Sequence, residues 1–218
     1  MPSFLDLERW KRRAHFEFYR RFDNPYFNIC APVDVSGARG RASAAGGPSF
    51  SLLCLHAALC AANDEECFRY RLRGERVLIH PVLHGGSTVL RDDETFGFAY
   101  FDFDRDFERF AAAAAPRLAE ARGGGGLEPR DDDALCHFSI LPWIAFTSFS
   151  NARCWGSSDS VPKIVFGRAS AGEGGRWTMP VSVEVHHALV DGLHVGRFFA
   201  ALEGALAAVA TAVGRLAG

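Results

Sequence analysis

Two adjacent histidines, His186 and His187, carry the clearest potential for chemistry in this sequence of 218 residues. They lie in the segment VHHALVDG, which covers positions 185–192. Apolar residues occupy every second position from Met179 to Val185, which predicts a strand with one buried face. The Ala- and Leu-rich stretch that follows predicts a helix. Because an imidazole titrates near neutral pH, it can accept a proton from a hydroxyl or a thiol, and the segment predicts a general base at a strand end.

Other interpretations of these histidines stay open at this point. A histidine at a strand end often has only a structural role, and neighbouring strand residues point to opposite faces, so at most one of the two can face a given site. Asp191, four residues after His187, can fix the loop or form an ion pair. A metal site made of the two histidines and this aspartate lacks further ligands at a recognisable spacing, so we expect no bound metal.

The composition excludes several classes of partner. Hydrophobic residues make up 48% of the chain and the formal net charge is −2, so we expect no nucleic-acid partner. No uninterrupted apolar run reaches about 18 residues, and the charged N-terminus lacks the apolar segment of a signal peptide, so we expect no membrane association and a cytoplasmic location. The six cysteines form no Cys-x-x-Cys pair and are interpreted as reduced, small apolar residues, although a cysteine nucleophile partnered by His187 stays open. They are Cys30, Cys54, Cys60, Cys67, Cys136 and Cys154.

The elements that must position the histidines form a mixed α/β or α+β pattern, which we assign to a single domain of residues 1–218. The sequence predicts helices over Leu7–Phe22, Phe50–Ala62 and Asp104–Arg122, and a last helix after Asp191. It predicts strands over Tyr26–Val35, Phe68–Leu72, Arg76–His80, Ser87–Leu90, Phe96–Phe103, Leu135–Ile140, Lys163–Arg168 and Arg176–His186. The Gly-, Ala- and Ser-rich stretch 37–47 and the stretch 122–133 are predicted to be loops.

Four segments resemble a known family in the order in which they occur. The segment 186–199, HHALVDGLHVGRFF, resembles the HHxxxDG signature of chloramphenicol acetyltransferases. The signature alone also occurs in condensation domains of peptide synthetases and, in variant form, in dihydrolipoyl acyltransferase cores. Residues 10–19 resemble the family's WxRxxHFxxY segment, residues 138–149 resemble its SxxPWxxFxSF segment, and residues 94–96 match a further short block. The resemblance covers nearly the whole chain and identifies it as a divergent member of this family.

The resemblance implies an α+β fold, a two-layer α/β sandwich in which helices pack on a large, mostly antiparallel sheet. It also implies acetyl-CoA as the co-substrate and a homotrimer with active sites at the subunit interfaces. His187 would be the general base and Ser139 would donate a hydrogen bond to the oxyanion intermediate. Asp191 would form an ion pair with Arg12 that joins the two ends of the chain. We expect this pair to be buried, so that breaking it would cost roughly 3–5 kcal/mol.

The resemblance further implies an aromatic acceptor pocket and a site for CoA. The implied pocket residues are Phe18, Tyr19, Phe96, Phe98 and Phe149, and the implied cofactor-binding residues are Trp143 and Arg168. An aromatic slot of this kind suits a flat apolar substrate that carries a hydroxyl. The sequence departs from the family at Ser49, Val165 and Ala169, where residues near CoA or the transition state are replaced, and Phe98 is expected to narrow the pocket.

These expectations favour an O-acetyltransferase that moves an acetyl group from acetyl-CoA to a hydroxyl of chloramphenicol or a related small hydrophobic acceptor. Two alternatives follow from the departures. The chain could be an acyltransferase that uses another natural-product acceptor or a carrier-protein donor. It could also be a non-catalytic protein that binds the drug in its aromatic pocket.

Overall fold

The computed structural model of the protein describes residues 1–124, 127–153 and 159–211, and within them five α-helices and ten strands. The helices are α1 (Arg13–Tyr19), α2 (Ser36–Ser43), α3 (Phe50–Asp64), α4 (Phe107–Gly123) and α5 (Gly192–Thr211). The strands are β1 (Ser3–Phe4), β2 (Tyr26–Asp34), β3 (Tyr70–Arg73), β4 (Arg76–Ile79), β5 (His84–Leu90), β6 (Phe96–Phe101), β7 (Leu135–Ile140), β8 (Lys163–Phe166), β9 (Ser170–Ala171) and β10 (Trp177–His186).

The main sheet has the strand order β2-β10-β8-β7-β5-β6, with the short strand β9 also paired to β10. Its pairs are antiparallel except where β7 runs parallel to both β5 and β8. A second sheet of three strands has the order β1-β4-β3, and Gly74, at a φ of 59°, forms the turn of its β3–β4 hairpin. The predicted α+β sandwich with a large, mostly antiparallel sheet is therefore confirmed.

The two faces of the main sheet differ in chemistry. Because strand residues alternate, Val181, Val183 and Val185 of β10 point to one face, where they join the core cluster that also contains the buried side of α3 and α5. The residues between them point to the other face, which we call the open face because no helix of the core cluster packs on it. Through the pairing register, the open face carries Ser182, Glu184 and His186 of β10, Lys163 and Val165 of β8, His137 and Ser139 of β7, Thr88 of β5, and Phe96, Phe98 and Tyr100 of β6.

The open face of β10 is more buried than the sequence pattern predicts. Alternation indicated one buried face, but Ser182, Glu184 and His186 are buried as well. Segments of the chain that precede β8 cover them, as shown by the bond from Arg153 Nε to Glu184 Oε1 at 2.7 Å. The polar residues of the alternating pattern are therefore a second, hydrogen-bonded interior and not a solvated surface.

Helix α5 packs its apolar stripe into the core. By length and composition alone, the window Gly192–Val209 could cross a membrane, with a mean hydropathy of 1.2. The stripe has the spacing of one helix face, and its members Val195, Phe198, Leu202 and Leu206 are buried against the protein's own core. This burial pattern is that of an amphipathic helix with one face packed on the core, since 22% of the window is buried.

Helix α2 was not predicted, and the expectation of a loop over 37–47 is wrong for its first part. The segment SGARGRAS contains two glycines, so its intrinsic helix propensity is low. Tertiary contacts override this weakness, because Ala38 is fully buried and the guanidinium of Arg39 lies 4.8 Å from the ring centroid of Trp177.

Helix α1 is shorter than the predicted span Leu7–Phe22, since the regular helix covers only Arg13–Tyr19. The carboxylate of Asp6 accepts hydrogen bonds from the backbone N–H groups of Glu8 and Arg9 at 3.1 and 3.4 Å. Such local side-chain bonds hold the preceding residues in a turn instead of a continuing helix.

The small sheet is fastened to the start of β7 by two polar side chains. Arg71 is fully buried, and its guanidinium donates to the carbonyl oxygens of Asp133 and Leu135 at 2.6 Å each. The Asp133 carboxylate accepts from Arg73 Nη1 at 2.6 Å and His80 Nε2 at 2.9 Å. Burial alone would raise the pKa of Asp133, but these hydrogen bonds outweigh it and hold the pKa well below its usual range.

Candidate active site

His187 lies between two aromatic rings at the end of β10. Its imidazole stacks on Tyr19 of α1 with a centroid distance of 3.8 Å and an angle of 15°, and the ring of Phe27 packs at 4.6 Å. The tautomer of the imidazole is fixed by the contact of Nδ1, which lies 3.2 Å from the carbonyl oxygen of Val190. Because a carbonyl can only accept, Nδ1 carries the proton and Nε2 is left with a free lone pair. We call His187, Tyr19, Phe27 and the adjacent Phe18 the histidine end.

The loop from His187 to Asp191 is held by backbone bonds as well. The His187 N–H donates to the carbonyl of Pro25 at 2.7 Å, which joins the loop to the start of β2. Asp191 starts α5, because its Oδ1 accepts from the N–H of Gly192 at 2.7 Å and its carbonyl accepts from Val195 at 3.2 Å. The strand-to-helix turn therefore presents the imidazole on a rigid support.

Arg12 joins the N-terminal segment to this loop. Its Nη1 lies 2.5 Å from Asp191 Oδ2, and its Nη2 donates to the carbonyl oxygen of His187 at 3.2 Å. The Arg12 hydrogen bond is the main reason why the pKa of Asp191 is lowered. The pair is less buried than expected, since 15% of the Arg12 side chain and 40% of the Asp191 side chain are exposed. The expected cost of 3–5 kcal/mol for a buried pair is therefore too high.

His186 has a different environment from its neighbour. Its ring is buried and meets Tyr26 edge-on at 5.1 Å, and its Nδ1 accepts from the N–H of Ala188 at 3.2 Å. Burial, assisted by the nearby Arg153, lowers the pKa of His186 to about 4. This histidine is neutral at pH 7 and supports the fold of the turn.

Ser139 lies in a cavity of about 400 Å³ on the open face, which we call the serine cavity. Its hydroxyl oxygen accepts a hydrogen bond from Thr88 Oγ1 at 3.1 Å. That bond leaves the Ser139 hydroxyl hydrogen available to donate to another group. Phe96 and Phe98 line the same cavity, so the structure brings these two implied pocket residues together with the implied oxyanion donor.

The serine cavity and the histidine end are far apart within one chain. Ser139 pairs with Val165, and Val165 pairs with Ser182, four residues before His186. Two strand spacings and four residue rises separate the backbones of Ser139 and His186 by roughly 16 Å. A single chain therefore does not place His187 beside Ser139.

The remaining aromatic residues fall into separate places. Tyr19 and Phe18 belong to the histidine end, where their rings meet edge-on at 5.1 Å and Phe18 is 60% exposed. Phe149 packs on Phe146 with a centroid distance of 5.6 Å and is not among the residues that line the serine cavity. Phe27, which contacts His187, was missed, because its alternating strand pattern gave no signal of the contact.

Arg168 lines a second cavity of about 220 Å³, which we call the arginine cavity because Arg39 also lines it. Ala169, one of the departures, lies there too. Trp143 does not line this cavity and is exposed on the surface. The structure therefore places two arginines, whose side chains suit phosphate groups, in the lining of one cavity, but it leaves the implied tryptophan outside.

The other two departures occupy different settings. Ser49 is an exposed residue directly before α3 and its side chain makes no capping hydrogen bond there. Val165 is buried in the sheet next to Ser139. A valine cannot supply a hydrogen bond at that position.

The cysteines do not have the surroundings of a nucleophile. Burial raises the thiol pKa of each of the five cysteines in the described ranges, which disfavours the reactive thiolate. Burial raises the pKa of Cys60 to about 11 and the pKa values of Cys54 and Cys136 to about 12. It also raises the pKa values of Cys30 and Cys67. Cys154 lies outside the described residues.

One group of metal-capable side chains was not anticipated. Glu65, Cys67 and His194 have donor atoms within 4.8 Å of one another. The backbone N–H of Asp191 donates to Nδ1 of His194 at 2.9 Å, so a neutral His194 carries its proton on Nε2. Neither ring nitrogen of a neutral His194 then offers a lone pair to a cation, and the bond from Asp191 makes His194 a support of the α5 start.

A polar network on the open face was also missed. Arg153 bonds Glu184 and Asp159, with the latter contact at 2.8 Å from Nη1 to Oδ2, and its guanidinium lies 4.2 Å from the Tyr26 ring centroid. Lys163 of β8 pairs with Glu184 in the sheet and lies next to this network. The one available signal was a lysine at the head of the apolar run KIVF, which indicates a charged residue on a largely buried strand.

Comparison with known proteins identifies close relatives over nearly the whole chain. A family model described as chloramphenicol acetyltransferase matches residues 3–203. The chloramphenicol acetyltransferase of Streptomyces acrimycini is 31% identical over 94% of both chains, and chloramphenicol acetyltransferase 2 of Escherichia coli is 30% identical over 91% of this chain and 94% of its own. A solved chloramphenicol acetyltransferase structure has a TM-score of 0.88 at 32% identity and covers 94% of this chain and 100% of its own. A dihydrolipoamide acetyltransferase of Azotobacter vinelandii, at 20% identity, has a TM-score of 0.63 over 90% of this chain and 88% of its own, and shares the fold.

Proposed function

This chain belongs to the chloramphenicol acetyltransferase family, and we propose that it transfers the acetyl group of acetyl-CoA to a hydroxyl of chloramphenicol or a related small acceptor. The observation that carries the proposal is the setting of His187, whose Nδ1 faces a carbonyl oxygen while Nε2 keeps its lone pair. An imidazole held in this tautomer between Tyr19 and Phe27 is prepared to act as a base.

In the proposed reaction, Nε2 of His187 takes the proton of the acceptor hydroxyl while the hydroxyl oxygen attacks the thioester carbonyl. The carbonyl oxygen becomes an oxyanion, and Ser139, whose hydroxyl hydrogen is free because Thr88 donates to its oxygen, donates a hydrogen bond to it. Collapse of the tetrahedral intermediate breaks the carbon–sulfur bond. The departing CoA sulfur takes the proton back from the His187 imidazolium, so the base is regenerated.

We infer that the complete site forms between subunits of a homotrimer. The support is the separation of roughly 16 Å between the backbones of Ser139 and His186 in one chain. A hydroxyl proton acceptor and an oxyanion donor must both lie about 3 Å from neighbouring atoms of one substrate. The exposed Phe18 of the histidine end and Phe22, whose ring lies 5.0 Å from it, are apolar surface that a neighbouring chain would cover.

We propose that the arginine cavity receives phosphate groups of CoA. Arg168 and Arg39 both line it, and guanidinium groups match phosphate oxygens with paired donors. Arg39 lies on α2, so the helix that the sequence did not predict would contribute to donor binding. We also propose a cytoplasmic location, since a protein that uses acetyl-CoA needs access to that pool.

The test combines loss and rescue of activity. His187→Ala and Ser139→Ala variants are assayed for release of the CoA thiol from acetyl-CoA with chloramphenicol, first alone and then after being unfolded and refolded together in equal amounts. Each variant alone is expected to lose at least about 10²-fold in rate. If His187 of one chain serves Ser139 of its neighbour, random mixing restores about one quarter of the wild-type sites.

The outcomes separate the parts of the proposal. Unchanged turnover in His187→Ala would remove the general base from the mechanism. Two inactive variants that stay inactive after mixing would contradict a site shared between chains. Binding of chloramphenicol without any binding of CoA by the wild type would instead indicate a non-catalytic binding protein.

A further inference from the structure

The serine cavity combines aromatic residues with basic and amide side chains. Phe96 and Phe98 provide the apolar lining, while Lys163, Arg130 and Asn151 provide polar groups that can donate hydrogen bonds. Among the described residues that line the cavity there is no aspartate or glutamate. The lining therefore favours a ligand group that accepts hydrogen bonds.

Lys163 is the more buried of the two basic residues in this lining, since the side chain of Arg130 is 51% exposed. It begins β8 on the open face, where its backbone pairs with His137 on one side and Glu184 on the other. Its Nζ donates to the carbonyl oxygen of Ala152 at 2.7 Å, and only 16% of its side chain is exposed. A lysine ammonium has three N–H donors, so this bond uses one of them.

The nearby carboxylates are engaged mainly by another residue. Arg153 bonds Glu184 at 2.7 Å and Asp159 at 2.8 Å, and Glu184 also accepts from the Asn151 backbone N–H at 3.0 Å. Lys163 Nζ is 4.0 Å from Asp159, at the limit of an ion pair. Glu184, Asp159 and Arg153 do not line the cavity, so Lys163 is the charged member of this network that reaches it.

Asn151 adds a buried side-chain donor. Its side-chain nitrogen Nδ2 is buried and has no hydrogen-bond partner in the part of the chain that the structure describes. A buried donor without a partner loses its hydration without compensation, and a ligand that accepts its hydrogen bond removes that cost. His137, which pairs with Lys163 and also lines the cavity, does not add charge, because burial lowers its pKa to about 4.

We propose that the acceptor for which this site is built carries an anionic hydrogen-bond acceptor of the carboxylate type next to Lys163 and Asn151, in addition to its aromatic part and its hydroxyl. The proposal rests on the proposed function, because it names the acceptor class of the same site. Ser139 and Lys163 are two residues apart on adjacent strands, so their backbones are roughly 8 Å apart, about the length of a substituted ring. One acceptor can therefore reach both.

The experiment compares acceptors that differ only in charge. Two acidic analogues of chloramphenicol keep its propanediol hydroxyls and carry a carboxylate, one in place of the nitro group and one at the end of the acyl chain. The methyl ester of each acid is its neutral partner. The ratio of kcat/KM for acid over ester is measured for the wild type, Lys163→Met and Asn151→Leu. Lys11→Met is the matched control, because Lys11 is the only other lysine and is exposed in the N-terminal segment.

We expect the wild type to prefer one acid over its ester and Lys163→Met to lower this ratio on the order of 10- to 100-fold, as for a lost hydrogen bond to a charged group. Asn151→Leu is expected to lower it less, and Lys11→Met not at all. A wild type without preference for either acid, or an equal loss on acid and ester in Lys163→Met, would overturn the proposal.

A second readout separates this proposal from the function itself. If no acetyl transfer occurs with chloramphenicol or with any analogue, the proposed function fails, and the dissociation constants of the same acids and esters still decide the charge preference. A weaker binding of the acid to Lys163→Met with unchanged ester binding would support the anionic acceptor group. Equal binding of acid and ester to the wild type would refute it.

Discussion

The contact between Arg12 and Asp191 allows a quantitative prediction about how the two ends of the chain hold the His187 loop. The nitrogen and oxygen atoms are 2.5 Å apart, while 15% of the arginine and 40% of the aspartate side chain are exposed. Two unit charges about 4 Å apart attract by about 4 kcal/mol at an effective dielectric constant of about 20. The partial desolvation of Arg12 offsets much of this, and water screens the exposed carboxylate. We therefore expect a net coupling of about 1–2 kcal/mol.

A double-mutant cycle in urea measures this coupling. Asp191→Asn keeps an oxygen that can accept from the Gly192 N–H, so it removes the charge and retains the cap. Arg12→Met retains most of the apolar stem and removes both the ion pair and the bond to the His187 carbonyl. We expect losses in the free energy of unfolding of about 1–2 kcal/mol for Asp191→Asn and about 2–3 kcal/mol for Arg12→Met, with the double variant no worse than about 3 kcal/mol.

A neighbouring pair provides the matched control. Arg13 and Glu8 form an ion pair next to Arg12, but 48% of the arginine and 78% of the glutamate side chain are exposed. The same cycle with Arg13→Met and Glu8→Gln is expected to give a coupling below about 1 kcal/mol. If the Arg12 and Asp191 losses add within about 0.3 kcal/mol, or if the control pair couples more strongly, the contact does not hold the loop as inferred.

The pH dependence of this coupling follows from the direction of the pKa shift. The Arg12 hydrogen bond lowers the pKa of Asp191 in the folded protein. A lowered carboxyl pKa contributes stability that is present above the unfolded value of about 3.9 and is lost as the pH falls through the folded value. The coupling measured at pH 7 is therefore expected to decrease below about pH 4.

Two further predictions concern the oxyanion donor and the small sheet. Ser139→Ala should lower kcat on the order of 10²–10³-fold in the CoA-release assay with KM for chloramphenicol nearly unchanged, and a loss in KM alone would indicate a binding role instead. Asp133→Asn should destabilise the protein by about 1–3 kcal/mol at pH 7 in urea, because it removes the charged partner of Arg73 and His80. Since hydrogen bonds hold the pKa of Asp133 low, the difference from wild type should shrink as the pH falls below about 4, and a constant difference would exclude its charge as the cause.

Local sequence patterns predicted most of the fold, and their failures have identifiable physical causes. The alternation of β10 and the apolar runs of α3 and α5 specify elements whose own residues carry the signal. Helix α2 contains weak helix formers and depends on burial of Ala38 and on the contact of Arg39 with Trp177, neither of which is visible locally. The burial of the polar open face of β10 was underestimated for the same reason, since the contact of Arg153 with Glu184 spans 31 positions of sequence.

For the site, the sequence located residues but not their mutual distances. The HHxxxDG resemblance selected His187 and Asp191, and the structure adds that Nδ1 of His187 faces Val190 and that Asp191 is bonded to Arg12 rather than to the imidazole. The separation between Ser139 and His187 depends on the register of three strands, which no local pattern encodes. The roles assigned to His187 and Ser139 remain predictions, which the rescue experiment tests.

The contacts of the base and the lining of the serine cavity are nearly independent of each other. His187 is held by Tyr19, Phe27, Pro25 and Val190, and none of these residues lines the serine cavity. Lys163, in turn, contacts Ala152 and Asp159 and makes no described contact with the histidine end. Substitutions of residues that line the serine cavity can therefore change which acceptor is bound without moving the imidazole. This separation explains how one chain can keep the arrangement expected of an acetyltransferase base while the serine cavity carries a cation and a side-chain donor that has no partner among the described residues.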